Sequence, residues 1–137
     1  MIKFTKERSV SIDDVLHLYQ VVGWTNYTNQ PQMLEQALSH SLATYLARDG
    51  EEIVGLVRLV GDGFSSVFVQ DLIVLPSYQR QGIGSNLMKE ALADYKDAYQ
   101  VQLATEQTEK TLGFYRSLGF ETLSTYDCTG MIWVDRK

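Results

Sequence analysis

Apolar positions along the chain change period at one place, and the other elements can be read outward from it. Residues 67–75, VFVQDLIVL, are almost wholly apolar, broken only by Gln70 and Asp71, which predicts a central strand covered on both faces. Pro76 cannot donate to a sheet ladder and ends that strand. From Gly82 the spacing becomes helical. Ile83, Leu87, Met88, Ala91, Leu92 and Tyr95 form one stripe, and Ser85, Asn86, Lys89, Glu90 and Asp94 form the other.

The remaining segments follow from the same alternation. Residues 2–8 predict a first strand, and Ser11 caps a helix whose buried stripe is Val15, Leu18, Tyr19 and Val22 and which Gly23 ends. Residues 24–30, WTNYTNQ, read as a loop, and Pro31 opens a second helix running to His40. Residues 44–47 and 53–60 are strands joined by a hairpin turn carrying Asp49-Gly50. Gly61-Asp62-Gly63 is a further turn, leading into strand 67–75. A strand is expected at 99–104 and a helix at 108–118, closed by Gly119 with Phe120 supplying the hydrophobic contact. Residues 121–134 are expected to give two antiparallel strands turned around 127–130. The order β-α-α-β-β-β-α-β-α-β-β predicts an α+β fold, a mixed sheet of about six to seven strands with helices on both faces. Strand 67–75, helix 82–96 and strand 99–104 should form a right-handed parallel crossover.

Composition narrows the class. A chain of 137 residues suits one domain, spanning 1–137, and 45% apolar with 21% charged residues is ordinary for a globular protein. The formal net charge of −5 shows no basic stripe, so no nucleic-acid partner is expected. Cys128 is the single cysteine, so no internal disulfide can form. No apolar leader or membrane-spanning run is seen, and a cytoplasmic protein is expected. His17 and His40 stand at no ligand spacing, so no metal is expected.

The junction 79–84, Gln79-Arg80-Gln81-Gly82-Ile83-Gly84, carries candidate chemistry. Two glycines opening a helix let a ligand approach the backbone and leave first-turn N–H groups free for an anion such as a phosphate. Arg80 adds a positive charge at the rim. Gly82 and Gly84 serve equally to permit a tight strand-to-helix turn, and six residues alone do not decide. The chain has no P-loop string, and Leu87 stands where a dinucleotide fingerprint requires its third glycine.

The run DLIVLPSYQRQGIGSNLM resembles the coenzyme A site of the GCN5-related N-acetyltransferase (GNAT) family. A second stretch, TEKTLGFYRSLGF at 108–120, resembles that family's Asn-x-x-Ala-x-x-Phe-Tyr-x-x-x-Gly-Phe pattern through Phe114, Tyr115, Gly119 and Phe120. Thr108 and Thr111 stand where the pattern has Asn and Ala, which puts the usual side-chain bond to pantetheine in question. The resemblance implies that acetyl-CoA is a co-substrate whose pyrophosphate meets Gln79, Arg80, Gln81, Gly82, Ile83, Gly84 and Ser85. It also implies that Leu72, Ile73 and Val74 pair by backbone with the pantetheine arm, with Thr108 a further contact. An amide of Ile73 or Val74 would serve the oxyanion, and Tyr115 would protonate the departing thiolate. Val74 and Tyr115 are thus the catalytic candidates, with a core aromatic on its helix the lesser reading of Tyr115.

For the acceptor, the family pattern gathers Trp24, Tyr27, Asp71 and Trp133, with Tyr126, Met131 and Asp62 around them. An aromatic pocket with a carboxylate suits a small primary amine, and the run resembles members compared with aralkylamine or serotonin acetyltransferases. Asp71 fits a structural role or a base, and no general base is singled out. The implied reaction is direct acetyl transfer to a small-molecule amine. The alternatives are acetylation of a protein N-terminus or lysine, and a non-catalytic acyl-CoA-binding module. The family's habit also allows a homodimer through the C-terminal strands.

Overall fold

The computed structural model describes residues 1–135. The chain divides into two compact units, Met1–Leu103 and Ala104–Lys137. The first holds a five-stranded sheet in the order β1-β2-β3-β4-β5. Its strands are β1 (Ile2–Glu7), β2 (Ala43–Asp49), β3 (Glu52–Gly61), β4 (Ser66–Val74) and β5 (Gln100–Leu103). Neighbours are antiparallel except β4 and β5, which run parallel as the connecting helix requires. The β2–β3 turn carries Gly50 at φ +62°, the left-handed conformation its Asp-Gly signal anticipates.

Helices α1 (Ile12–Val21), α2 (Thr25–Thr28), α3 (Pro31–Ser39) and α4 (Ile83–Asp94) cover the two faces. The ladders assign the faces, because paired residues share one. Tyr45, Val57 and Leu72 are in register on the side of α4, where the Tyr45 hydroxyl donates to Asp94 at 2.6 Å. Thr44, Arg58 and Asp71 are in register on the opposite side, against α1 to α3. On α4 the predicted stripe is buried at Ile83, Leu87, Met88 and Ala91, and on α1 at Val15, Leu18 and Tyr19.

Gly55 lets α4 approach the sheet. A Cβ there would lie 3.2 Å from both Ile83 Cγ2 and Leu87 Cδ1 and 3.3 Å from the Ile73 carbonyl oxygen. Gly55→Val is therefore expected to cost roughly 1–3 kcal/mol by overpacking, read as a lower urea midpoint at unchanged slope.

Three expectations are corrected. Residues 25–28 form a single helical turn rather than loop, starting where the Trp24 N–H bonds the Tyr19 carbonyl at 3.1 Å. The sheet has five strands rather than six to seven. The two C-terminal strands are absent among the described residues: Leu123–Tyr126 is a turn of 3-10 helix, and Asp127 sits at φ +59°. Strand-forming side chains alone do not make a strand, and Met131 is left 94% exposed. The elements of the expected dimer contact are thus not formed in the described chain.

In the second unit, α5 (Glu109–Ser117) is capped by Thr108, whose Oγ1 accepts from the Thr111 N–H at 3.1 Å. Its end is the expected glycine closure. Gly119 lies at φ +100°, its N–H bonds the Arg116 carbonyl, and the Phe120 N–H bonds the Tyr115 carbonyl, both at 3.0 Å. The Phe120 ring packs edge-on against Tyr115 with centroids 5.9 Å apart.

Candidate functional site

Strand β4 is paired on both sides for only part of its length. Its parallel ladder with β5 runs from Ser66↔Gln100 to Val69↔Leu103 and stops. On the other side it continues along β3 to Gly55↔Val74, so residues 70–74 are covered by β3 and open toward the side β5 has left. Hydrogen bonding shows which groups face that opening. The Leu75 N–H bonds the Val54 carbonyl at 2.9 Å, so Leu75 turns toward β3. Facing alternates along an antiparallel pair, so Ile73 also turns to β3 while Leu72 and Val74 present their N–H and C=O outward. The Gln79 side chain agrees, its Nε2 donating to the Val74 carbonyl at 3.2 Å. Of the backbone candidates, Leu72 and Val74 have outward groups, and Ile73 uses its own on β3 with its side chain in the core.

The loop 76–82 continues from this edge. A 3-10 turn, Pro76–Tyr78, is tied to the β2–β3 hairpin by the Tyr78 hydroxyl, which donates to Asp49 Oδ2 at 2.6 Å. This bond pushes the Tyr78 phenol up to about 12. Arg80 and Gly82 both adopt left-handed backbone, at φ 67° and 76°. For arginine this conformation costs about 1–2 kcal/mol, and such strain concentrates at ligand sites. Gly82 is the N-cap of α4 with no side-chain hydrogen bond to the first turn, and a Cβ on it would meet nothing within 4 Å. The first helical bond runs from the Asn86 N–H to the Gly82 carbonyl at 2.9 Å. The N–H groups of Ile83, Gly84 and Ser85 therefore lie in the uncapped first turn, at the positive end of the dipole. Alternating backbone handedness beside such a terminus makes a concave nest for an anion. The Ile83 side chain is core, so its contribution is backbone only.

Asp71 lies on the other face and is only 3% exposed. Its Oδ2 accepts from the Tyr19 hydroxyl at 2.9 Å and Arg58 Nε at 2.8 Å, and its Oδ1 from the Tyr27 hydroxyl at 2.9 Å. Arg58 reaches further, Nη1 donating to Ser41 Oγ at 3.2 Å and Nη2 to the Tyr27 oxygen at 3.2 Å. Burial first, and the adjacent Asp71 charge second, push the phenols of Tyr19 and Tyr27 above their ordinary value. A carboxylate this enclosed ties α1, α2 and the sheet together and offers no surface to a substrate. Trp24, half-buried, packs on Tyr19 and Tyr27 with ring centroids 6.1 and 6.3 Å away. Trp24, Tyr27 and Asp71 are thus brought together.

Asp62 stands at the opposite end of β4 and closes the preceding turn. It accepts from the Ser65 hydroxyl and from the N–H groups of Phe64, Ser65 and Ser66, which hold its carboxyl far below the usual range. Trp133, Thr108 and Tyr115 belong to the second unit. The Thr108 hydroxyl is engaged at its own helix, donating to Thr111 Oγ1 at 2.8 Å besides capping. Burial pushes the Tyr115 phenol up. Sequence reasoning did not foresee that Arg58 and Tyr19 enclose Asp71. The signal for Arg58 was a lone arginine inside the apolar run 53–60. Among the described residues, no three of His, Cys, Asp and Glu gather as a metal site.

Comparison with known proteins agrees with this geometry. A family model described as Acetyltransferase (GNAT) domain matches residues 40–122. The chain is 31% identical over 122 residues to serotonin N-acetyltransferase 2, chloroplastic, of Oryza sativa subsp. japonica, covering 85% of this chain and 61% of that one. It thus spans less than two thirds of that relative's length. A GNAT-family acetyltransferase from Streptococcus pneumoniae TIGR4 is 74% identical, with a TM-score of 0.92 over 100% of both chains. A GNAT-family acetyltransferase from Elizabethkingia anophelis, solved with acetyl-CoA bound, shares the fold at 21% identity, with a TM-score of 0.64 over 88% of this chain and 76% of that one. With its interrupted β4 edge, its left-handed loop and the uncapped helix that follows, this chain belongs to the GNAT acetyltransferase family.

Proposed function

We propose that the protein transfers an acetyl group from acetyl-CoA directly to the primary amine of a small molecule, in the cytoplasm. The observation that carries this is the junction of an open β4 edge with an uncapped helix N-terminus through two left-handed residues. The residues present fit the co-substrate. Backbone N–H groups at 82–85 offer donors for the pyrophosphate, with Arg80 at the rim, and the space beside Gly82 is open. The outward groups of Leu72 and Val74 can pair with an amide-bearing arm as a strand would, and the Val74 N–H is the donor for the oxygen that gains charge during transfer. The bound molecule in the Elizabethkingia relative is acetyl-CoA, which supports the same co-substrate here.

On the resemblance of residues 108–120, Tyr115 donates the proton taken up by the departing sulfur. Tyr115→Phe is expected to lower kcat about 100-fold with little change in acetyl-CoA affinity, in a steady-state assay of thiol release. Unchanged kcat would assign the Tyr115 hydroxyl no part in the reaction. The half-buried ring of Trp24 supports an arylalkylamine acceptor, as does the name of the rice relative. Calorimetric titration with acetyl-CoA, followed by thiol release over a panel of amines, tests the whole reading. An absence of acetyl-CoA binding overturns it.

A further inference from the structure

We propose that Gln70 orients the acceptor amine, presenting its amide carbonyl as a neutral hydrogen-bond acceptor at the open edge of β4. This rests on the acetyltransferase reading and adds to it a residue that selects the acceptor. Two features single out the position. The β3–β4 register passes from Arg58↔Asp71 to Leu59↔Val69, so Gln70 is the bulged residue, with no partner on β3. It is also the first residue past Val69↔Leu103, where the β5 ladder ends, and its side chain is exposed. Bulges re-aim side chains and recur beside active sites.

The buried network decides which end of the amide faces outward. Tyr27 gives its only hydroxyl proton to Asp71 Oδ1, so toward every other neighbour its oxygen can only accept. It accepts from Arg58 Nη2 at 3.2 Å and from Gln70 Nε2 at 3.5 Å. With the amide nitrogen drawn inward, Gln70 Oε1 turns away from the cluster. An amine N–H is the complementary donor.

Neutrality is the chemical point. Acetyl transfer needs an uncharged amine, and a carboxylate beside it would favour the ammonium form. Asp71 is adjacent in sequence, but Arg58, Tyr19 and Tyr27 enclose it. The carboxylate thus stabilises the scaffold while an amide meets the substrate.

The test uses the whole chain and its Gln70→Leu, Gln70→Glu and Tyr19→Phe variants. Each is titrated with acetyl-CoA and then, saturated with coenzyme A, with tryptamine, butylamine and spermidine. Expected is unchanged acetyl-CoA affinity throughout and about tenfold weaker binding by Gln70→Leu of the amine the parent prefers. Tyr19→Phe removes a more deeply buried bond, to Asp71, yet leaves amine affinity as in the parent. In turnover, Gln70→Glu moves the rise of kcat/KM with pH about one unit upward, because the new carboxylate holds the amine protonated. Equal amine affinity in parent and Gln70→Leu overturns the proposal alone, as does an acetyl-CoA-binding parent that takes none of the three amines. A parent that does not bind acetyl-CoA overturns both this proposal and the reading on which it rests.

Discussion

Gly82→Asp is expected to fold and to lose acetyl-CoA, whereas Gly82→Asn is expected to fold and keep most of its affinity. The two replacements have nearly the same shape and are the non-glycine residues that best tolerate left-handed backbone, which position 82 requires at φ 76°. Space is no obstacle, since nothing lies within 4 Å of a Cβ there. The difference between them is one negative charge at the mouth of the uncapped first turn of α4. At about 4 Å and an effective dielectric near 20, repulsion of one phosphate charge is worth about 4 kcal/mol, and partial exposure reduces this to about 3. Affinity for acetyl-CoA should therefore fall by about 100-fold in the Asp variant relative to the Asn variant, read by calorimetry. Because both variants carry the same backbone strain, their thermal midpoints should match. Equal affinities would move the phosphates away from this loop and leave Arg80 and Gly82 as architecture.

The largest effect on stability is expected at the other face of β4. Asp71→Ala leaves the Arg58 guanidinium, whose side chain is 4% exposed, without its charge partner. Breaking a buried pair in this way costs roughly 3–5 kcal/mol, a large share of the 5–15 kcal/mol that holds a typical domain together. Replacing both members, Arg58→Met with Asp71→Leu, should recover most of the loss, because neither desolvated charge then remains. Recovery should fall short by about 1 kcal/mol for each of the Tyr19 and Tyr27 hydroxyls, which lose their acceptor. Urea unfolding of the three variants decides the matter. A cost below about 1 kcal/mol for Asp71→Ala would mean that water reaches the cluster.

Much of the β4–α4 junction was legible in the chain because its determinants are local. A strand stopped by Pro76, a turn with Gly82, and a helical stripe from Ile83 onward each occupy contiguous residues and follow from backbone chemistry. The same holds for Gly50 in its hairpin turn and for the closure of α5 by Gly119 and Phe120. The opposite face of β4 was less legible. Asp71 appeared as a break in an apolar run, read as structural with a base as the lesser alternative, and its partners Tyr19, Tyr27 and Arg58 are remote in sequence. The Thr108 hydroxyl caps α5.

Local sequence thus set where strands and helices start and stop around the β4–α4 junction, and with them the left-handed loop between. Periodicity and Gly or Pro placement act within a few residues, so they survive in one dimension. Only the tertiary structure decided three other matters. It ended the β5 ladder at Leu103 and so opened residues 70–74. It bulged Gln70 out of the β3 register. It enclosed Asp71 behind an arginine and two tyrosines drawn from three other elements. Each depends on pairing between segments far apart in the chain, which no short stretch of residues specifies.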